Sequence, residues 1–315
     1  RIRTFHNDQD HRPLPRISHE PYCARSLYLP ATMNSEMHFS EWVGRTETSM
    51  DCVDELRAAK MFATLDMPCP QPICDQLLPN LWHWMFFAPV VPFGELGNDG
   101  HPERGGFLPP VDLPRRMWAG GRLEFFRQIE VGNKIRRVSS IKDIVAKKGR
   151  TGEMVFVTVT HQILDDHGVL INEEQDIVYR ELVPPDASTP SYKTSDESSH
   201  FSVEIFPNPV TLFRYSALTF NGHRIHYDRK YCLEEEGYPG LVFHGPLTAT
   251  YLAQLLVAQV ESVELTGFSF RAIKPLFDNH AFTVHGREQE SGVYNLWATD
   301  YLGHIAMEAR AICKC

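Results

Sequence analysis

Between residues 121 and 180 apolar and polar positions alternate with a period of two over four stretches, 122–129, 134–141, 153–162 and 169–180. In the third, Val155, Val157 and Val159 fall on one side and Phe156, Thr158 and Thr160 on the other, the pattern of a strand with one buried face. Turn-forming clusters around Gly132-Asn133, Gly149 to Gly152 and Asp165 to Gly168 separate them, which predicts a run of antiparallel strands. The same texture returns at 200–206, 268–275, 281–288, 293–300 and 304–313. Two segments have helical spacing instead. In 50–66, Val53, Leu56, Ala59, Met61 and Phe62 recur at that spacing and acids lie early, where the helix dipole favours them. After His244-Gly245-Pro246, the residues Leu247, Tyr251, Leu252, Leu255 and Leu256 recur likewise, while Ala249, Ala253, Val257 and Ala258 leave almost no polar face. This second helix is expected to be buried on most sides, with a proline in its first turn and free N–H groups near Gly245.

The connections divide the chain. Residues 1–32 hold five arginines, three histidines and four prolines without an apolar period, which predicts a disordered extension. A targeting presequence is the alternative, opposed by Asp8, Asp10 and Glu20. Residues 33–183 form a first unit, the polar, proline- and serine-rich 184–199 a linker, and 200–315 a second unit. Within the first, the glycine- and proline-laden loop 94–114 is too long for a simple turn. It is either a lid over a ligand groove or an inert surface excursion. The stretch from Gly121 resembles the stretch from Gly267 in pattern, which suggests a duplicated α+β unit, one helix wrapped by an antiparallel sheet in each copy.

Composition narrows the function. The 315 residues carry a net charge of −9, so no basic surplus exists to neutralise a phosphate backbone and nucleic acid is excluded as a partner. The apolar runs around 84–93 and 247–260 fall short of the roughly 20 residues of a membrane span, so no membrane association is expected. The expected setting is the cytoplasm, or the mitochondrial matrix in a eukaryote. Seven scattered cysteines lack the paired spacing of a zinc site and are expected as free thiols. No metal is expected either, since no cysteine or carboxylate set completes four ligands around the histidines of 211–260.

That segment concentrates the chemistry: Asn221, His223, Arg224, His226, Asp228 and His244 precede or begin the second helix. SALTFNGHRIHYD followed by EGYPGLVFHGPL resembles the signature of the MaoC-like, (R)-specific enoyl-thioester hydratases. The resemblance is to the branch containing double-hotdog β-hydroxyacyl-thioester dehydratases and mesaconyl- or itaconyl-CoA hydratases. In the first half, GFLPPVDLPRRMWAGGRLEFFRQIEVG resembles the amino-terminal hotdog of that branch, so the likeness covers the chain from about Glu41 onward.

The resemblance implies a double hotdog and a hydro-lyase acting reversibly on an enoyl thioester. The substrate is expected to be a CoA ester with a short branched or dicarboxylic acyl chain, and no separate cofactor is needed. A homodimer of double hotdogs is expected by analogy. The family motif places an aspartate five residues before its histidine; here the histidine is His226, but Asn221 stands where the aspartate would be, with His223 at the intervening asparagine. An amide takes no proton. His226 is therefore expected to remove the proton from water, Asn221 to orient that water, and the N–H groups at Gly245 to stabilise the thioester oxyanion. His223 and Asp228 are candidates for a second acid/base group. Arg224, Arg116, Arg122 and His244 are candidates for holding the carboxylate or phosphates of the substrate. Two rivals belong to other classes: a hotdog thioesterase using Glu234, Glu235 or Glu236 to activate water, and a non-catalytic acyl-thioester binding module.

Overall fold

The computed structural model describes residues 39–149, 152–181, 192–195 and 198–314. The extension expected at 1–32 and most of the linker expected at 184–199 lie outside those residues, as do Cys23 and Cys315.

The segment expected as one helix over 50–66 divides in two. Its start completes strand β1 (Thr46–Cys52), whose Met50 to Cys52 pair with Arg136 to Lys134. Helix α1 (Glu55–Thr64) begins only after Asp54, whose carboxylate accepts the Arg57 N–H. A capping aspartate thus ends the strand's claim on the chain and starts the helix. The four strands predicted next follow as β2 (Arg115–Phe125), β3 (Lys134–Gly149), β4 (Gly152–Asp165) and β5 (Gly168–Arg180). In the second half β6 (Phe201–Ile205) leads into α2 (Pro209–Leu218), a helix with no counterpart among the expectations. Asn208 caps it, accepting the Thr211 N–H, and its proline stands in the first turn, where no N–H is missed. The short α3 (Arg229–Glu234) and the apolar α4 (Gly245–Gln259) come next, then β7 (Glu264–Ala272), β8 (Phe282–Glu290), β9 (Val293–Thr299) and β10 (Ile305–Lys314).

The strands form one antiparallel sheet in the order β1-β3-β4-β5-β2-β7-β10-β9-β8-β6. Read from either edge to the middle, each half repeats one order: its first, third, fourth, fifth and second strand. The duplication suspected from the stretches beginning at Gly121 and Gly267 is therefore structural, for those stretches lie in β2 and β7, the central pair. Their register sets Gly121 opposite Phe270 and Leu123 opposite Phe268. Gly120 and Gly121 make this approach possible: a Cβ on Gly120 would come within 2.5 Å of the Phe270 carbonyl oxygen, and one on Gly121 within 2.9 Å of that of Glu174.

One face of the sheet wraps α4, whose Leu247, Leu252 and Leu256 are fully buried against β8, β9 and β10. The halves differ here. The ten-residue α1 packs on α2, and the core beside it is filled by Trp82, Met85, Phe86 and Phe87. Val155, Val157 and Val159 are buried as their alternation predicts, covered by Val111 and Leu113 from the long loop. The described cysteines are free thiols, and no described helix is long and apolar enough to cross a membrane.

Candidate active site

His226 closes a short 3-10 turn, Arg224–His226, between α2 and α3. The turn is fixed from outside by Val242, whose N–H bonds the Ile225 carbonyl at 2.9 Å and whose carbonyl faces His226 Nδ1 at 2.8 Å. A carbonyl only accepts, so Nδ1 carries the proton and Nε2 keeps its lone pair. No described group bonds Nε2. The ring is buried, and burial pushes its pKa down to about 4, so the imidazole is neutral and able to accept a proton at pH 7.

His244 stacks on it, ring centroids 3.7 Å apart and planes 18° from parallel. It is the residue before α4, and its Nε2 meets Ser216 Oγ of α2 at 2.9 Å while its buried Nδ1 has no partner. Burial, with His226 and His223 adding to it, holds it well below the ordinary histidine range. The first N–H groups of α4, at Gly245 and Leu247, have no carbonyl of their own helix to bond. Before Gly245 lies open space: a Cβ built there would meet nothing within 4 Å. A neutral base and a pair of free donors at a helix start are thus brought together by the short extended segment from Val242 to His244 that leads into α4.

His223 continues the row, its ring edge-on to His226 at 5.4 Å and 4.1 Å from the ring of His101. His101 belongs to the long loop of the first half and was not among the sequence candidates; neither was Asp99, whose carboxylate bonds His101 Nδ1 at 3.0 Å. Burial opposes ionisation of Asp99, but its hydrogen bond and attraction to His101 outweigh this and hold the carboxyl well below its usual range. His101 and His223 are both lowered, chiefly by burial. The available signal in sequence was an aspartate between the glycines of GNDGH and a histidine directly after them. One oxygen of Asp99 and one ring nitrogen each of His101 and His223 lie within 4.8 Å of one another, donors of the type that hold a divalent ion, but the carboxylate and His101 already satisfy each other directly.

Several candidates lie elsewhere or are committed. Asp228 caps α3 through the Tyr231 N–H at 3.0 Å and pairs with Arg224 at 2.8 Å, so it is no second acid. Arg224 is also held by the Asn98 carbonyl and lies over the Tyr231 ring, so it ties loops together and does not grip substrate. Arg122 is on the opposite face of the sheet from Leu123, bound to Glu174 and Asp176; strand alternation alone takes it away from the histidines. Asn221 accepts the His223 N–H at 3.0 Å, the bond of an asparagine that shapes its own turn. Arg116, opposite Tyr179 on β2, is near enough to depress His101 and His223 by its charge. A cavity of about 480 Å³ opens on the sheet's outer face, by Arg122, Ser269, Arg271, Asn295, Trp297 and Arg310. It holds no histidine, and Arg122 and Arg271 there are paired with acids.

The chain is similar to proteins of known activity and fold. Residues 81–278 match the family model described as hydroxyacyl-thioester dehydratase type 2. The chain is 45% identical to the mesaconyl-C(4)-CoA hydratase of Chloroflexus aurantiacus over 253 residues, 80% of this chain and 90% of that one. It is 28% identical to the mitochondrial hydroxyacyl-thioester dehydratase type 2 of Schizosaccharomyces pombe, over 69% of this chain and 78% of that one. Among solved structures, the MaoC-like dehydratase of Phytophthora capsici superposes with a TM-score of 0.65 at 13% identity, covering 86% of this chain and 95% of that one. HtdX of Mycobacterium tuberculosis does so at 0.58 and 15%, covering 85% and 99%. These two show the fold, a double hotdog. With the family model spanning the loop that carries His101 and the turn that carries His226, the chain belongs to the type 2 hydroxyacyl-thioester dehydratases and is a hydratase/dehydratase of acyl thioesters.

Proposed function

We propose that this enzyme reversibly hydrates the double bond of a branched, dicarboxylic C4–C5 enoyl-CoA, a substrate of the mesaconyl-CoA type. The observation that carries the reading is the pairing of His226 with the start of α4, a neutral imidazole with one free nitrogen beside unoccupied N–H donors. His226 Nε2 takes a proton from water as the oxygen adds to C3. The C2=C3 pair moves onto the thioester oxygen, and the N–H groups of Gly245 and Leu247 stabilise that charge. The proton is then delivered to C2. His244, stacked on the base and anchored by Ser216, keeps the ring in place. Asn221 contributes by shaping the turn, and Arg116, whose charge reaches His101 and His223, is the guanidinium that meets the distal carboxylate. The 45% identity to a mesaconyl-C(4)-CoA hydratase supports this acyl class.

The thioesterase alternative loses support because Glu236 is engaged by Arg115 and Tyr231 and Glu234 by Lys230, away from the histidines. The test is to incubate the purified protein with crotonyl-, mesaconyl- and itaconyl-CoA and follow enoyl absorbance alongside free thiol. Loss of absorbance without thiol, fastest for a dicarboxylic ester, is expected. Thiol release, or turnover confined to crotonyl-CoA, would overturn the reaction or the acyl class respectively.

A further inference from the structure

The turn that carries His226 has no carboxylate of its own to offset a protonated imidazole. Asp228 caps α3 and holds Arg224, and Glu236 is paired with Arg115. The carboxylate that acts on the row comes from the other half of the chain.

The loop that brings it is held on several sides. Its turn is closed by bonds from the Gly97 N–H to the His101 carbonyl at 2.8 Å and from the Gly100 N–H to the Gly97 carbonyl at 2.9 Å. Gly100 takes a φ of +85°, and a Cβ there would come within 2.0 Å of the Gly222 carbonyl oxygen. The contact is mutual, since a Cβ on Gly222 would stand 2.7 Å from the Gly100 oxygen. Two glycines, one in each half, thus permit backbone-to-backbone docking. Arg224 then bonds across the joint twice, through its N–H to the Asp99 carbonyl at 2.9 Å and through its guanidinium to the Asn98 carbonyl at 3.0 Å. What the docked loop delivers is one pair. Asp99 receives both the backbone N–H and Nδ1–H of His101, each at 3.0 Å, which leaves His101 Nε2 turned out of that bond.

We propose that Asp99 and His101 are positioning residues of the hydration reaction, supplying to His223 and His226 the counter-charge that an aspartate at position 221 would otherwise provide. This rests on the enoyl-thioester reading above. In the forward direction water loses one proton to His226 Nε2 while its oxygen bonds C3 and the double-bond pair moves to the thioester oxygen. The site then holds an enolate and one imidazolium, on His226 or, after transfer, on His223. The Asp99 carboxylate, an oxygen of which lies within 4.8 Å of a His223 ring nitrogen, lowers the energy of that cation. Collapse of the enolate takes the same proton to C2, and the protein regains its starting charge. The other charged and titratable groups facing the row are Arg116 and Arg104, which oppose the cation, and His244, which is neutral.

The test is Asp99→Asn in the full chain, which keeps an acceptor for the His101 N–H and removes one charge. Two readouts are taken: kcat and KM across pH on the enoyl-CoA that the wild type hydrates, and the titration of the histidine C2–H resonances by NMR. Expected are a fall in kcat on the order of a hundredfold with KM nearly unchanged. The acid limb of kcat and the His223 titration should both move down by about one pH unit, because an opposite charge within this range favours the protonated form by at least that much. His101→Gln should give the same kinetic loss with the fold intact by near-UV circular dichroism. A kcat within about threefold of wild type, or a His223 titration that does not move, would overturn the proposal. So would purified protein carrying stoichiometric metal and losing activity on chelation. If the wild type hydrates no enoyl thioester, the functional reading fails alone, and the NMR titration still decides whether Asp99 acts on His223.

Discussion

Both halves bury histidines beside the sheet, and they treat them in opposite ways. In the first half Ser139, His161 and Glu173 are direct cross-strand neighbours on β3, β4 and β5. His161 Nδ1 meets Ser139 Oγ at 2.9 Å, and Glu173 collects His83 Nε2 at 3.1 Å, Trp84 Nε1 at 2.8 Å and Gln175 Nε2 at 2.9 Å. Burial opposes the Glu173 charge, but His83 foremost, with His161 and Gln175, holds its pKa down to about 2. That cluster is gathered on a buried carboxylate. In the second half His226 uses one nitrogen and leaves the other free, while His244 has a buried nitrogen with no partner at all. A count of histidines therefore does not locate a site; unfilled hydrogen-bonding capacity does.

The sharpest way to break this comparison is to alter one carrier on each side. His226→Asn keeps a side-chain N–H for the Val242 carbonyl and deletes the free nitrogen. It should cut kcat by roughly 10²–10⁴ while thermal unfolding stays within a few degrees of wild type. If activity survives, the free nitrogen is not the base. Glu173→Ala should do the reverse. Removing one member of a buried pair costs about 3–5 kcal/mol, visible in denaturant unfolding, with kcat of the folded fraction unchanged. A stable but inactive Glu173→Ala protein would place chemistry in the first half after all.

Acid titration should separate the clusters more finely. His226 and His161 both have pKa values lowered by burial from 6.5 to about 4. Between those limits the unfolded chain binds more protons than the folded one, so stability falls as pH drops from 6.5 towards 4, by about 1.4 kcal/mol per pH unit for each histidine. His226→Asn should remove one such contribution and leave that of His161, read as a shallower slope of unfolding free energy against pH. An unchanged slope would mean that His226 is not held neutral. The smallest effect is expected at Arg122→Ala, which breaks exposed ion pairs on the far face: under about 1 kcal/mol in stability and no change in KM.

Much of the sheet was legible because a strand with one buried face writes its period into the chain, as Val155, Val157 and Val159 do. β1 was misread because Met50 to Cys52 gain their strand partners from residues more than eighty positions away. The helix α2 was hidden for a related reason: its buried Leu212, Tyr215 and Ser216 interrupt a mixed sequence with exposed Phe213 and Val210, and its burial is decided by what packs on it. Arg122, Arg224 and Asp228 were candidates by residue type. Their partners, two of them on distant strands or loops, showed otherwise.

By itself the sequence determined the local pieces of this protein: the alternating strands, the apolar helix with glycine and proline at its start, and a histidine turn just before it. These follow from periods and caps that act over a few residues. Only the tertiary structure decided that Asp99 and His101 meet His223, since the two loops are more than a hundred residues apart. Pairing of β2 with β7 joins the halves into one sheet, and the contact of Gly100 with Gly222 brings the loops together. The bond from His226 to the Val242 carbonyl, which leaves a free nitrogen, likewise depends on an extended segment docked between Ile225 and Phe277, which no local pattern specifies.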